Sequence, residues 1–518
     1  MFMSFFGRYL PGGRKYQGSY RSTRKPEPVH DPIPSDLGDC EKKIQERFTL
    51  SPDLVIRKFV IRQTQSPAML VYLDSLTDNN SVNRDVLLPL QTKQTGEGRE
   101  LPLSAGRMTP IDEWVKAERA VLEGDSVLFI EGWAEAQVLG TSGWPQRAIE
   151  DPQLETSLKG AHQGFVETGS HNLALLRRYL PHEELKIKEK IVGRRGHTKV
   201  YVLYIADIVN PTLLREMEER IDAIDIDAVI NTGELAELVE DSSASPFPQM
   251  LMTERPDAAA SQLLQGRIVV VVDRSPSVMV APISFTSFFQ SVDDYSTRWS
   301  IATFLRLLRL FAFGIAAFLP AFYIAVTSFH YEVIPFKLLL TLGESRGQVP
   351  FPPFVEAVFM EITLEMLREA GVRLPAPVGQ TVGIVGGIVI GQAIVQAGLV
   401  SNIMVVVVAF TAIASFILPN YDLVAAVRLI RFCLMIAAAL FGLVGIMIGI
   451  MILIAHLLAL HSLGRPYFSP FGPVRFSDWK DAFMRVPLWM MNERPLGANP
   501  VQLRRQGHTR PDPEGEQT

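Results

Sequence analysis

The run FCLMIAAALFGLVGIMIGIMILIAHLLAL, Phe432 to Leu460, contains no Asp, Glu, Lys or Arg. A helix of about 20 residues rises ~30 Å, the thickness of the hydrocarbon layer of a bilayer. This stretch is long enough to span it, with tilt or protrusion to spare. Three more windows share its character. Residues 307–329 carry Arg309 near the start and Pro320 within, and 378–398 and 402–418 are joined by little more than Val400 and Ser401. Charge is dense before residue 300, nearly vanishes in long windows between 300 and 462, and then returns. That segregation divides the chain between water and lipid. The expected fold is an α/β soluble region followed by an α-helical transmembrane bundle.

A fifth segment, 354–369, mixes Glu356, Glu361, Glu365 and Arg368 with Phe354, Val358, Phe359 and Ile362. Glu361 and Glu365 sit one turn apart on one face. This reads as an amphipathic helix at the interface or facing an aqueous cavity, not lipid. Arg298, Arg306 and Arg309 flank the first window, and Arg465, Arg475, Lys480, Arg485 and Arg494 follow the last. Positive charge marks the cytoplasmic side, so both termini are expected there with an even number of spans. Arg428 and Arg431 then fall outside, against the same rule.

The most telling window is 378–398. Gly379, Gly383, Gly387 and Gly391 recur every four residues and form one seam, with Gln380, Gln392 and Gln396 on the neighbouring one. An amide in hydrocarbon must find a partner, so the glutamines face protein or water. Two readings stay open. The seams can be a pore wall, with aliphatic positions such as Val385 and Val389 as a dewetting gate. Alternatively, glycine packs helices closely and glutamine staples them.

Residues 41–290 read as one α/β module written twice. Leu54–Lys58 and Leu70–Leu73 in the first copy correspond to Leu185–Glu189 and Val202–Ile205 in the second. Each copy then has a glycine turn, at Gly124 or Gly266, leading into an apolar strand, Val127–Ile130 or Ile268–Val272. Residues 211–224 and 231–240 read as helices capped by Asn210 and Asn231. The pair is either a two-lobed binding cleft or a scaffold. The expected division is a basic mobile arm (1–40), a first α/β subdomain (41–150), a second (151–296), a transmembrane domain (297–461) and a basic cytoplasmic tail (462–518).

At 518 residues the chain exceeds one core, and its net charge of −5 gives no support for nucleic-acid binding. Two cysteines, Cys40 and Cys433, lie in unlike surroundings, so no disulfide framework is expected. The N-terminus puts its apolar run before its basic residues, the reverse of a signal peptide. Dinucleotide, Walker A, zinc-protease and nucleophile-elbow motifs are absent, and His162 and His171 have no acidic or cysteine partner at ligand spacing. No enzyme activity, cofactor or metal is expected.

Many short motifs carry a resemblance. They include Arg147–Pro152, Gly193-Arg194-Arg195, Ser245–Gln249, Thr253–Asp257, Asp293-Asp294-Tyr295 with Arg298-Trp299, and Val349–Pro352. Glu369–Pro375, Gly379–Gly386, Ile390–Ala393, Pro419-Asn420-Tyr421 and Ser469-Pro470-Phe471 continue the series. In this order, over roughly residues 41–495, the chain resembles the A subunits of nutrient germinant receptors of endospore-forming bacteria, the GerA family. The resemblance implies a multi-pass protein of the inner spore membrane. Its implied partners are a transporter-like B subunit that senses nutrient and a lipoprotein C subunit. It further implies a homo-oligomer that conducts or gates monovalent cations, which favours the pore reading of Gln380, Gly383, Val385, Gly387, Val389, Gln392 and Gln396. Accessory germination proteins of the same family, and a non-conducting scaffold, are the alternative.

Overall fold

The computed structural model of the chain describes residues 31–92, 107–143, 159–374 and 391–507, with 101, 103, 152, 155 and 387. Its α/β part is two five-stranded antiparallel sheets of the same topology. Strands β1 (Leu54–Val60), β2 (Pro67–Leu73), β3 (Met108–Ile111), β4 (Ser126–Ile130) and β5 (Ala136–Leu139) lie in the order β1-β2-β4-β5-β3. Strands β6 (Leu185–Val192), β7 (Thr198–Ile205), β8 (Leu251–Thr253), β9 (Ile268–Val272) and β10 (Val278–Ala281) repeat it as β6-β7-β9-β10-β8. Helices α1 (Leu37–Arg47) and α2 (Trp114–Leu122) in the first unit match α3 (Gly169–Tyr179) and α6 (Pro256–Leu263) in the second. The second unit adds α4 (Pro211–Asp222) and α5 (Thr232–Val239). Asn210 Oδ1 accepts from Thr212 N at 3.0 Å and Asn231 Oδ1 from Glu234 N at 2.9 Å, so both expected caps form.

The unbroken apolar run of β9 follows from burial on both faces. Ile268, Val270 and Val272 pack under α4 and α5, while Val269 and Val271 pack under α3 and α6. With helices on each side, alternation has no polar face to serve. The two glycine turns are required by backbone geometry, since Gly124 has φ +94° and Gly266 φ +84°. A Cβ at Gly124 would stand 2.9 Å from the Leu76 carbonyl oxygen.

The seam between the units is filled. Arg177 of α3 is 1% exposed and donates from Nε and NH2 to Asp53, each at 2.7 Å, while Lys186 Nζ donates to the Arg47 carbonyl at 2.9 Å. A bidentate buried ion pair thus joins the two units at this point.

After the second sheet the chain enters a helical bundle of α7 (Trp299–Ser328), α8 (Phe336–Arg346), α9 (Pro353–Arg373), α10 (Asn402–Ile417) and α11 (Tyr421–Ala459). By length and composition, α7 and α11 qualify to cross a membrane, with mean hydropathies of 2.1 and 2.7. Yet α11 is not straight. Gly442 has φ 60° and ψ −138°, outside the helical region. A Cβ on Gly449 would meet Leu434 at 2.5 Å, and one on Gly445 would meet the Ala437 carbonyl oxygen at 2.1 Å. In a continuous helix Leu434 and Gly449 would be about 22 Å apart. The helix therefore reverses at Gly442 into two arms, 421–441 and 443–459. This corrects the expected span 432–460: its residues 443–459 belong to the returning arm, and the outgoing arm starts eleven residues earlier than expected. Both outer ends stand against the second α/β unit, and the tip packs on Phe329 and His330 at the end of α7.

Two further expectations change. Segment 354–369 extends to Pro353–Arg373 and packs within the bundle against α7, α10 and α11. Residues 462–507, expected as a basic tail, fold back on the second α/β unit. Ser462 Oγ donates to the Gln249 carbonyl at 2.6 Å, Arg494 Nε to the Leu264 carbonyl at 2.7 Å, and Val501 N to the Ile208 carbonyl at 2.9 Å. The expected span 378–398 lies largely outside the described residues.

Candidate functional site

The middle of the bundle carries a polar row. Glu361 of α9 is 4% exposed and Arg431 of the outgoing α11 arm 2%, and Arg431 NH1 donates to Glu361 at 2.8 and 2.9 Å. One turn along, Arg428 pairs with Glu365, which also accepts from Arg368 at 3.0 Å. The indices run in opposite directions, 361 with 431 and 365 with 428, as antiparallel packing demands. Glu356, 1% exposed, accepts from Ser401 N at 2.9 Å at the start of α10, with Arg346 at 3.4 Å. Charges in so dry a place persist only when paired and hydrogen-bonded.

This arrangement corrects the expectation that Glu361 faces an aqueous cavity. Glu361 is enclosed and its carboxylate is occupied by Arg431. Glu365 keeps 40% of its side chain exposed but is held by two guanidinium groups. The sequence reading placed Arg428 and Arg431 on the outer side of the membrane and did not pair them with the glutamates. The signal was available: two arginines three residues apart and two glutamates four apart are complementary ladders on antiparallel helices.

Of the seam residues, Gln380, Gly383, Val385 and Val389 lie outside the described residues. Gly387, Gln392 and Gln396 are exposed in the single chain, the latter two on a helical stretch over residues 391–396. A Cβ added to Gly387 or Gly391 would meet nothing within 4 Å. At those two positions glycine does not serve close packing inside this chain.

The junction of bundle and α/β unit gathers residues that are far apart in sequence. Ser245–Pro248 and Pro419-Asn420-Tyr421 line one cleft of roughly 680 Å³. His456 Nε2 lies 2.9 Å from Ser245 Oγ, and Phe247 packs within 6.1 Å of Phe285 and of His456. On the opposite flank Asp294 is fully enclosed between Arg306, at 2.9 Å, and Arg309, at 2.8 Å. Asp481 joins this group, accepting from Arg306 NH1 at 2.9 Å and from the Tyr295 hydroxyl at 2.9 Å. Burial, then the Asp481 charge, push the Tyr295 phenol well above its usual range, so it stays a donor. Thus Arg306 and Arg309, near the entry to α7, are neutralised by the α/β unit and the folded-back segment.

A duplicated α/β head is joined by buried hydrogen bonds and ion pairs to a helical bundle with paired charges in its interior, and two of the bundle's helices are long and apolar enough to cross a membrane. The family model described as Bacillus/Clostridium GerA spore germination protein matches residues 42–496, and the chain belongs to that family. It is similar to spore germination protein KA of Bacillus subtilis strain 168, 38% identical over 94% of this chain and 91% of that protein. An uncharacterized membrane protein, YfkQ, of the same strain is 37% identical over 90% of this chain and 91% of its own length. Among solved structures, the N-terminal domain of the A subunit of the Bacillus megaterium spore germinant receptor GerK3 is 27% identical. It covers 50% of this chain and 98% of that one, with a TM-score of 0.39.

Proposed function

We propose that the chain is the membrane subunit of a spore germinant receptor, and that copies of it assemble so that the glutamine seam lines a path for monovalent cations. On this reading the bundle crosses the inner spore membrane with both termini cytoplasmic. A transporter-like B subunit and a lipoprotein C subunit are its partners. The role carries no catalytic step and no cofactor. The observation that supports it is the uncovered face at Gly387, Gly391, Gln392 and Gln396. Amides and bare glycine backbone do not belong against acyl chains, so another copy or water is their natural neighbour. Gln380, Gly383, Val385 and Val389 continue the same seam in the sequence. Nutrient binding in the partner would bias the bundle between closed and open arrangements through the junction.

The test is rubidium uptake into liposomes containing the purified chain. The wild-type chain is expected to conduct, alone or with its partners, and a Q392L/Q396L pair to reduce uptake at least tenfold while folding normally. Absence of uptake under every condition, or unaltered uptake in the pair, would reject conduction. The scaffold alternative draws on the motif residues gathered at the junction. It expects substitutions there, such as Phe247→Ala, to abolish assembly with the partners, while seam substitutions change little.

A further inference from the structure

The folded-back segment closes a cavity of roughly 220 Å³ against the second α/β unit and the β10–α7 connection. Its wall contains a cation with an unmet need. Arg267 follows the Gly266 turn and is 6% exposed. Its NH2 reaches Ser287 Oγ at 3.3 Å, and its NH1 has no hydrogen-bond partner. Leaving a charged donor buried and unpaired costs several kcal/mol in general terms, so such a group is normally matched. Three acidic residues, Asp478, Asp481 and Glu493, line the same cavity, and none forms an ion pair with Arg267 among the described residues. Asp481 is held by Arg306 and the Tyr295 hydroxyl, and Asp478 accepts from Leu496 N at 3.3 Å. Burial draws the Arg267 guanidinium down to about 10, still charged at neutral pH.

Around it stand neutral groups able to donate: the Ser284, Thr286 and Ser287 hydroxyls and the Gln265 and Gln290 amides line the same cavity, with Arg505 at its wall. Ser284 Oγ lies 3.1 Å from both Thr286 Oγ1 and Ser287 Oγ, a cluster whose hydrogens can turn toward an acceptor. The volume exceeds that of several waters, so a molecule of five to ten heavy atoms is admitted at about 30 Å³ per water.

We infer that this cavity is a binding site for a small oxyanion, phosphate or carboxylate, held by Arg267 and the surrounding hydroxyls. A guanidinium edge matches the two oxygens of either group. Because three parts of the chain meet there, occupancy would fasten the folded-back segment to the head and the entry of α7. This site is independent of the conduction path.

The test uses the full-length chain in detergent, followed by thermal unfolding at fixed ionic strength while sodium phosphate or sodium acetate replaces sodium chloride. One or both anions are expected to raise the unfolding temperature saturably by about 3 °C or more. Arg267→Gln removes the response. If R267Q fails to fold, the S284A/S287A pair replaces it and is expected to weaken the apparent affinity at least fivefold. A response to phosphate alone or to acetate alone identifies the group recognised. No saturable response to either anion, or the same response in the variants, overturns the assignment.

Discussion

Removing one partner of the Glu361–Arg431 pair strands the other charge in a dry interior. Arg431→Met is therefore expected to cost about 3–5 kcal/mol of stability, whereas the double change E361M/R431M costs far less. Thermal unfolding of the four proteins in one detergent reads the coupling, and equal losses in single and double variants would refute it. Cys40 gives a residue-scale test in the soluble head. It is 1% exposed, its Sγ donates to the Pro34 carbonyl at 3.2 Å, and burial raises the thiol from 9.0 to about 11. The folded state thus keeps a proton that the unfolded state loses. Stability from this group is complete below pH 9 and is lost as pH rises toward 11, about 2–3 kcal/mol in all. Native alkylation of Cys40 at neutral pH should be slow compared with the same thiol in denaturant, and equal rates would contradict the burial. Cys40 was legible in the sequence as an unpaired cysteine, but its depth was not, since depth depends on α1 docking on a sheet formed later in the chain.

Among elements, the reversal of α11 decides most. Its sequence is uniformly apolar, so no polar break marks the turn, and hydropathy alone reads one long helix. Gly442 is the physical cause: its positive φ is strained for any residue with a Cβ, which would also lie 2.8 Å from His330. Gly442→Val is expected to destabilise the bundle by several kcal/mol. The geometry itself is checked with L434C/G449C in a C433A background. A short bis-maleimide should join the two cysteines within one chain, as it cannot in a straight helix. Absence of that cross-link would refute the reversal. By contrast, the strands and the paired glycine turns of the head were readable. Val269 to Val272 are β-branched, short and bounded by turn residues, and period and propensity agree there. The ladder between Glu361, Glu365, Arg428 and Arg431 was half readable. The glutamates were singled out, yet their partners were placed outside the membrane between two spans, because the charge of Arg428 and Arg431 interrupts the apolar run that α11 continues.

At the scale of the whole molecule, head and bundle are keyed together rather than strung on a linker. Both arms of α11 return to the region of Phe247 and Ser245, and residues 462–507 stitch the far end of the chain onto the second unit. A charged α/β head followed by long apolar helices was evident from charge segregation alone. The stitching was not, because residues 462–507 are charged and proline-rich and have no periodic pattern that announces a docking surface. Many of their contacts are hydrogen bonds to or from backbone atoms, which sequence does not display. On the proposed function, this rigidity is what lets a partner bound to the head act on the seam in the bundle.

That seam decides the account. Spin labels placed at Gln392 and Gln396, as Q392C and Q396C in a C433A background, report in liposomes whether each site collides with a water-soluble nickel chelate or with oxygen dissolved in lipid. The account predicts nickel access, or immobilisation by a neighbouring copy, and little exposure to oxygen at both positions. Free motion with dominant oxygen exposure would place those amides among acyl chains and contradict it.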